Sequence, residues 1–385
     1  MFFLINCSNL KNGGGLQVAK SICEQLYQYK NHHFIVVLST YINDVHISTC
    51  ENVEVCKYNI PQNVKSVLFG RDNFLDGLVE KQHVDAVLTV FGPSLWRPRV
   101  AHLCGFARAQ LLKEVNPCVH PSFKEWLVYK IWTWGFRKSS KVFYTENAYI
   151  SDMLPKLIKG AKVYTVTNYY NQVFDQPENW TRNVNLDLRS AQRDACLSKN
   201  DNLNENDNGK MVTMLTVSST AVHKNLGIMV PVSEYLERVH PDFRFRFVLT
   251  CDEAPFPLPE HLRKHFEFIG KVDVEECPNL YEQADIMFMP TLMECFTATY
   301  PEAMRMEVPI VTTNLEFARG LCGDAACYYS AIDAEAAAEA IYKVATDREY
   351  AAKLVANGKK QLLTFDNYEQ RADKLIGILD EMVKN

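Results

Sequence analysis

The sequence predicts an α/β protein of two doubly wound domains, each a parallel sheet covered by helices. Three observations carry this. Short β-branched or aromatic runs alternate with helical patterns almost from end to end, as in parallel sheets joined by helices. The chain has 385 residues, too many for one ordinary core at about 150 residues per domain. A polar stretch at 176–210, rich in Asn, Asp and Lys, separates two series of strands and reads as a linker or surface excursion.

The first series comprises "FFLINC" from Phe2, "HFIVVLST" from His33, "VEVCKY" from Val53, "DAVLTVFG" from Asp85, "VAHLCGF" from Val100, "KVFYTE" from Lys141 and "KVYTVTN" from Lys162. Each is bounded by turn residues or a helical pattern, and each has the length and composition of a buried strand. The second series is "MVTMLTVS", "RFRFVLTC", "FEFIGKV", "DIMFMP", "PIVTTN" and "CYYS", between Met211 and Ser330. Three C-terminal segments, starting at Asp333, Arg348 and Tyr368, carry apolar residues at helical spacing. The expected division is an N-terminal domain at 1–175, a linker at 176–209, a C-terminal domain at 210–365, and a last helix at 366–385 that crosses back to the N-terminal domain.

Composition narrows the function classes. With 47% hydrophobic and 23% charged residues the chain is that of a soluble globular protein. No apolar run is long enough to span a bilayer, and the opening "MFFLINCSNLKNGGG" reads as a first strand rather than a signal peptide. The 12 cysteines are scattered, with no CxxC pair or zinc-like spacing, so they read as free thiols of a reducing cytoplasm. A net charge of −5 argues against wholesale nucleic-acid binding.

Open α/β sheets bind ligands at the carboxyl ends of their strands, so the chemistry is expected in strand-to-helix loops. In "NLKNGGGLQVAKSICEQL", Gly13, Gly14 and Gly15 stand between a strand and an amphipathic helix. Backbone N–H groups and a helix start are then exposed together, as sugar or phosphate binding requires; a plain tight turn is the alternative. In "TVSSTAVHKNLGIMVPVSEYL", His223, Lys224 and Asn225 end a strand loop, where a lysine can place a point charge on phosphate. Alone, such a lysine also reads as a solvated surface charge. The third loop, "PTLMECFTATYPEAMRMEVPIVTTN", sets Glu294 and Glu302 on either side of a helix start. It can aim the amides of Phe296, Thr297, Ala298 and Thr299 at an anion while both carboxylates accept ligand hydroxyls. A paired-carboxylate hydrolase is the rival chemistry, and it leaves the other two loops unexplained.

The runs "FIGKV", "LYEQADIMFMPTLMECFTATYPEAMRMEVPIVTTN" and "GDAACYYS" resemble the C-terminal half of the GT-B retaining glycosyltransferases called family 4, or glycosyltransferase group 1. The spacing of Glu294 and Glu302 matches that family's E-x7-E motif, and "GGG", "HKN" and "VTNYYNQVF" extend the resemblance over most of the chain outside 176–210. The resemblance implies two Rossmann-like domains facing a deep cleft and a metal-independent transfer of a sugar from a nucleoside diphosphate to an acceptor hydroxyl, with no cofactor. By position, Glu302 would hold the ribose, Glu294 the donor sugar and Lys224 the diphosphate, while Gly13 to Gly15 would pass near sugar and phosphates. His102 would stand beside the sugar; a core histidine is the alternative. One departure is Ser219, where relatives commonly place an arginine, so either another cation helps Lys224 or the leaving-group stabilisation is weaker or differently built.

The sequence thus reads as a cytoplasmic glycosyltransferase of cell-envelope polysaccharide or glycolipid synthesis, acting on a carbohydrate or lipid-linked acceptor. A sugar-nucleotide epimerase and a catalytically silent binding module are the alternatives. Residues 122–144, "SFKEWLVYKIWTWGFRKSSKVFY", mix aromatic with basic side chains. They fit either a peripheral contact with an anionic membrane at the inner face or a helix packed on its own sheet.

Overall fold

The computed structural model describes residues 1–11, 14–42, 50–61, 69–112, 118–186 and 211–384. Thirteen strands lie among them, one on each run read as a strand above. Seven form one sheet: β1 (Phe2–Cys7), β2 (His33–Leu38), β3 (Val53–Lys57), β4 (Ala86–Thr89), β5 (Ala101–Gly105), β6 (Val142–Thr145) and β7 (Lys162–Thr165). Their order is β3-β2-β1-β4-β5-β6-β7, and every neighbouring pair is parallel. The other six are β8 (Val212–Thr216), β9 (Phe245–Leu249), β10 (Phe266–Phe268), β11 (Ile286–Met289), β12 (Ile310–Thr313) and β13 (Ala326–Tyr329). They run β10-β9-β8-β11-β12-β13, again all parallel. Both orders reverse direction beside their first strand, between β1 and β4 and between β8 and β11. Crevices open at such reversals, beyond the carboxyl ends of the strands.

The chain divides into two compact units. The first holds Met1–Tyr169, Glu294–Ala298 and Phe365–Asn385; the second holds Tyr170–Met293 and Thr299–Thr364. The first boundary therefore falls a few residues before the one read from the sequence.

In the first unit, α1 (Gly14–Cys23) buries Val18, Ala19, Ile22 and Cys23 against β1 and β2. Also in it are α2 (Asn73–Lys81), α3 (Phe123–Ser139), α4 (Ala148–Leu157) and, at the chain's end, α11 (Tyr368–Lys384). Helix α11 lies over β4 and β5 and beside α1, with Leu375, Ile376, Ile378 and Leu379 in the core. Tyr29 donates to Asp373 at 2.7 Å and His32 contacts Asp380 at 2.8 Å, holding its outer face. Gly105 is needed where it stands: a Cβ there would meet the Val90 carbonyl oxygen at 1.9 Å. That oxygen instead accepts the Tyr144 hydroxyl at 2.5 Å.

The second unit carries α5 (Met229–Val239), α6 (Cys277–Glu282), α7 (Thr299–Arg305), α8 (Glu316–Cys322), α9 (Ala334–Thr346) and α10 (Arg348–Leu362). The described start of the expected linker is docked there. Glu276, buried at the start of α6, accepts from Thr181 Oγ1 at 2.6 Å, from the Asn183 and Val184 amides at 3.0 Å each, and from Asn279 Nδ2 at 2.6 Å. Burial pushes its pKa up, but these hydrogen bonds outweigh that and leave it below the usual carboxylate range. Residues 187–210 lie outside the described part.

The candidate donor site

The three loops singled out in the sequence all follow strands at the two reversal points. In the first unit the loop after β1 is fixed by its own side chains. Buried Asn6 Oδ1 accepts the Ser8 amide at 3.1 Å and the Ser8 hydroxyl at 2.7 Å. Asn9 Nδ2 donates to the Phe91 carbonyl at 2.7 Å, tying this loop to the one after β4. Gly13 lies outside the described residues; Gly14 and Gly15 open α1. A Cβ on Gly14 would meet nothing within 4 Å, and one on Gly15 only ordinary contacts with Phe91 and Leu10. Packing against the described residues therefore does not demand a glycine at either position.

In the second unit the loop after β8 forms a short 3-10 turn, Val222–Lys224, ending at Asn225 in the left-handed conformation (φ 53°, ψ 34°). The His223 carbonyl accepts the Leu292 amide at 2.7 Å and the Thr291 hydroxyl at 3.3 Å. His223, Lys224 and Asn225 are thereby fastened to the loop after β11, which runs on to Glu294. Asn225 Nδ2 is buried without an acceptor, a cost a ligand oxygen would remove. Ser219 is exposed.

Beyond β11, Thr313 Oγ1 donates to the Thr291 carbonyl at 2.8 Å, setting the turn. Helix α7 is buried at every position from Thr299 to Met304. Glu302 on it is 8% exposed and accepts the Tyr281 hydroxyl at 3.0 Å. Burial pushes its carboxyl up to about 7, with the Tyr281 hydrogen bond pulling the other way. Glu294, Phe296 and Ala298 are partly exposed, Thr297 is buried, and the Phe296 ring meets Phe365 edge-on at 5.9 Å. The E-x7-E spacing therefore straddles the division of the chain, Glu294 falling in the first unit and Glu302 in the second.

His102 is not in a strand-end loop. It sits within β5, buried, and its Nδ1 donates to the Ser139 carbonyl at 2.8 Å. A carbonyl only accepts, so Nε2 is left to take the Thr89 hydroxyl, 2.9 Å away. Burial pulls the ring's pKa down to about 4, against the Ser139 hydrogen bond. With both nitrogens spent inside the sheet, His102 is a core histidine, and the role beside the sugar does not survive. The helix read at 122–144 is α3, which starts on a capping box of Ser122 and Glu125. Its C-terminal half is buried at Gly135, Phe136 and Ser139, whereas Phe123, Trp126, Leu127 and Ile131 are 76%, 44%, 45% and 51% exposed.

The sequence reading passed over Arg108 and Glu146, in the loops after β5 and β6. The available signal was positional: each follows its strand by one to three residues, the place where the other candidates were sought. Among the described residues, no group of three or more His, Cys, Asp or Glu is placed to hold a metal ion, and the cysteines are free.

Residues 258–361 match the family model of glycosyl transferases group 1. No curated protein matches the chain. Solved structures match it over nearly its whole length. A glycosyltransferase from Rickettsia africae ESF-5 has a TM-score of 0.65 and 16% identity, covering 100% of this chain and 98% of its own. Sucrose-phosphate synthase from Thermosynechococcus elongatus has a TM-score of 0.67 and 15% identity, over 100% and 99%. Anabaena Alr3699/HepE, in complex with UDP and glucose, has a TM-score of 0.63 and 14% identity, over 99% of each chain. The chain thus has the GT-B fold, and its residues 258–361 are similar to the glycosyl transferases group 1 domain.

Proposed function

We propose that the protein is a retaining, metal-independent glycosyltransferase that moves a sugar from a nucleoside-diphosphate donor to an acceptor hydroxyl. The observation that carries the reading is the joining of two loops at the β8/β11 reversal. The His223 carbonyl holds Thr291 and Leu292, so Lys224 and the approach to Glu294 form one structure. Glu302 binds the ribose hydroxyls, Glu294 contacts the donor sugar, and Asn225 Nδ2 supplies a further donor to the ligand. Breaking the anomeric bond leaves a diphosphate whose growing charge Lys224 and the amides of 296–299 stabilise. The departing phosphate oxygen takes the acceptor proton, so no protein nucleophile is assigned. The complex of the Anabaena protein with UDP and glucose supports a uridine donor as the first to try.

The acceptor is a carbohydrate or a lipid-linked sugar. The exposed aromatic end of α3, with Lys124, Lys130, Arg137 and Lys138 on the same helix, would bring the enzyme to an anionic membrane surface.

Two substitutions divide the labour. Lys224→Ala removes a charge-assisted contact that strengthens as the diphosphate leaves, and should cost about one to two decades in turnover. Glu302→Ala should weaken nucleotide affinity first. Unchanged turnover in Lys224→Ala, with only donor affinity altered, would refute the leaving-group role.

A further inference from the structure

At the other end of the first sheet from the loop after β1 lies a cavity of about 350 Å³. Val84 and Val100, which lead into β4 and β5, line it, so in this parallel sheet it stands at the amino ends of the strands. Its polar lining is Arg71, Asp76, Glu80, His83 and Arg99, all in the first unit. The backbone brings the two arginine segments together: the Arg97 amide donates to the Gly70 carbonyl at 2.8 Å, tying the stretch that carries Arg71 to the one that carries Arg99. Gly70 is at φ 64°, and a Cβ there would meet the Arg97 side chain at 2.5 Å, so this crossing needs a glycine. Arg71 is oriented from behind. Its Nε stands 3.1 Å from Asp76 Oδ2, and Asp76 is held in turn by the buried Trp96 indole at 3.0 Å and by the Asp72 amide at 3.1 Å. Asp76 is thereby spent on protein donors, while the outer nitrogens of the Arg71 fork remain for a ligand.

The end of α2 supplies the rest. The His83 amide donates to the Glu80 carbonyl at 3.5 Å and the Val84 amide to the Val79 carbonyl at 3.1 Å, with His83 between them at φ 51°. Glycine or asparagine usually takes that left-handed position, and another side chain there costs stability. A histidine kept at such a cost on the wall of a cavity, with two arginines on the same wall, is the choice of an anion site rather than of a turn. Among the described residues, no side-chain hydrogen bond or ion pair engages Arg99, His83 or Glu80. Guanidinium forks match the oxygens of a phosphate. The Glu80 carboxylate repels a bare anion but accepts a hydroxyl carried beside one.

We propose that this cavity binds the phosphate ester of a sugar or small polyol, with Arg71, Arg99 and His83 on the phosphate and Glu80 accepting a hydroxyl. None of the donor-site candidates lines it, so it is the place of an effector rather than of a reactant. The assignment does not depend on the transferase reading.

The test is calorimetric titration of the full chain with glucose 6-phosphate, inorganic phosphate and glucose. Glucose 6-phosphate should bind about tenfold tighter than glucose or better, as a charge-assisted contact implies. Arg99 is exposed, so Arg99→Gln should keep the melting temperature while weakening the ester about tenfold. His83→Gly should melt at the same temperature or higher, because it relieves the left-handed turn, and should also bind the ester more weakly. Glu80→Ala separates the two halves of the ligand: it should weaken glucose 6-phosphate and tighten inorganic phosphate. Absence of glucose 6-phosphate binding, an equal affinity for glucose, or an affinity untouched by Arg99→Gln overturns the site, the last because the ester would then be bound elsewhere. A Glu80→Ala protein that tightens both phosphate ligands overturns the hydroxyl contact, and with it the choice of an ester.

Discussion

Glu302 is buried, holds one hydrogen bond from Tyr281, and has its carboxyl near neutrality. Its folded pKa lies above the unfolded one, so between about pH 4.5 and 7 the native state keeps a proton that the unfolded chain has released. Stability contributed by the neutral form is therefore complete at low pH and is lost as pH rises through 7. Glu302→Gln keeps the neutral form at every pH. Relative to wild type it should gain stability as pH rises across that window, by roughly 1.4 kcal/mol per unit at the steepest. Parallel stability curves for the two proteins would mean that Glu302 ionises as freely as an exposed carboxylate. Gly14 offers a separate test. With open space around the missing Cβ, Gly14→Ala should leave stability unchanged or raise it by up to about 1 kcal/mol, since alanine favours helix. If donor phosphates or sugar approach this backbone, affinity for UDP-glucose should nonetheless fall. Unaltered affinity would leave the glycine as loop chemistry only. At this scale the sequence singled out Glu294 and Glu302 by their spacing and Lys224 by its place in "HKN". It could not fix His102, whose partners Thr89 and Ser139 lie 13 and 37 positions away.

Among the elements, strands were legible because buried parallel strands are short continuous apolar runs between turn signals, as in "FFLINC" and "DIMFMP". The segment after residue 175 was less so. Its polar composition reads as a linker, yet Thr181, Asn183 and Val184 are held by Glu276, more than 90 positions away. Helix α3 was ambiguous because its aromatic residues surround it rather than line one face. The burial pattern separates its two halves: the C-terminal half packs into the unit, and the N-terminal half presents Phe123, Trp126, Leu127 and Ile131 to solvent. Interfacial helices put such rings at the headgroup level with lysines on anionic lipid. Co-sedimentation with anionic vesicles should accordingly fall as salt rises. It should also drop when Lys130, Arg137, Lys138 and Lys141 are changed together to Gln, or when Trp126 and Ile131 become Ser. Equal recovery in the supernatant with and without vesicles at low salt would remove the membrane contact and leave the transferase reading standing.

For the whole molecule, two all-parallel sheets that each reverse beside their first strand put the candidate residues of each unit in strand-end loops. Length, strand-helix alternation and the polar break foretold that arrangement. The first unit's share of Glu294–Ala298 depends on packing between distant segments and has no local signature in the sequence. The proposed chemistry makes one demand on the molecule as a whole, that a nucleotide-sugar be bound and its diphosphate released without a divalent ion. The most direct measurement is incubation of the protein with UDP-, GDP- and ADP-sugars in excess EDTA, monitoring nucleoside diphosphate release and the fate of the sugar. The account predicts slow release from one donor, faster with an acceptor, and suppressed in Lys224→Ala by about one to two decades. Release that vanishes in EDTA and returns with manganese, an epimer formed from the donor alone, or no binding of any donor would contradict it.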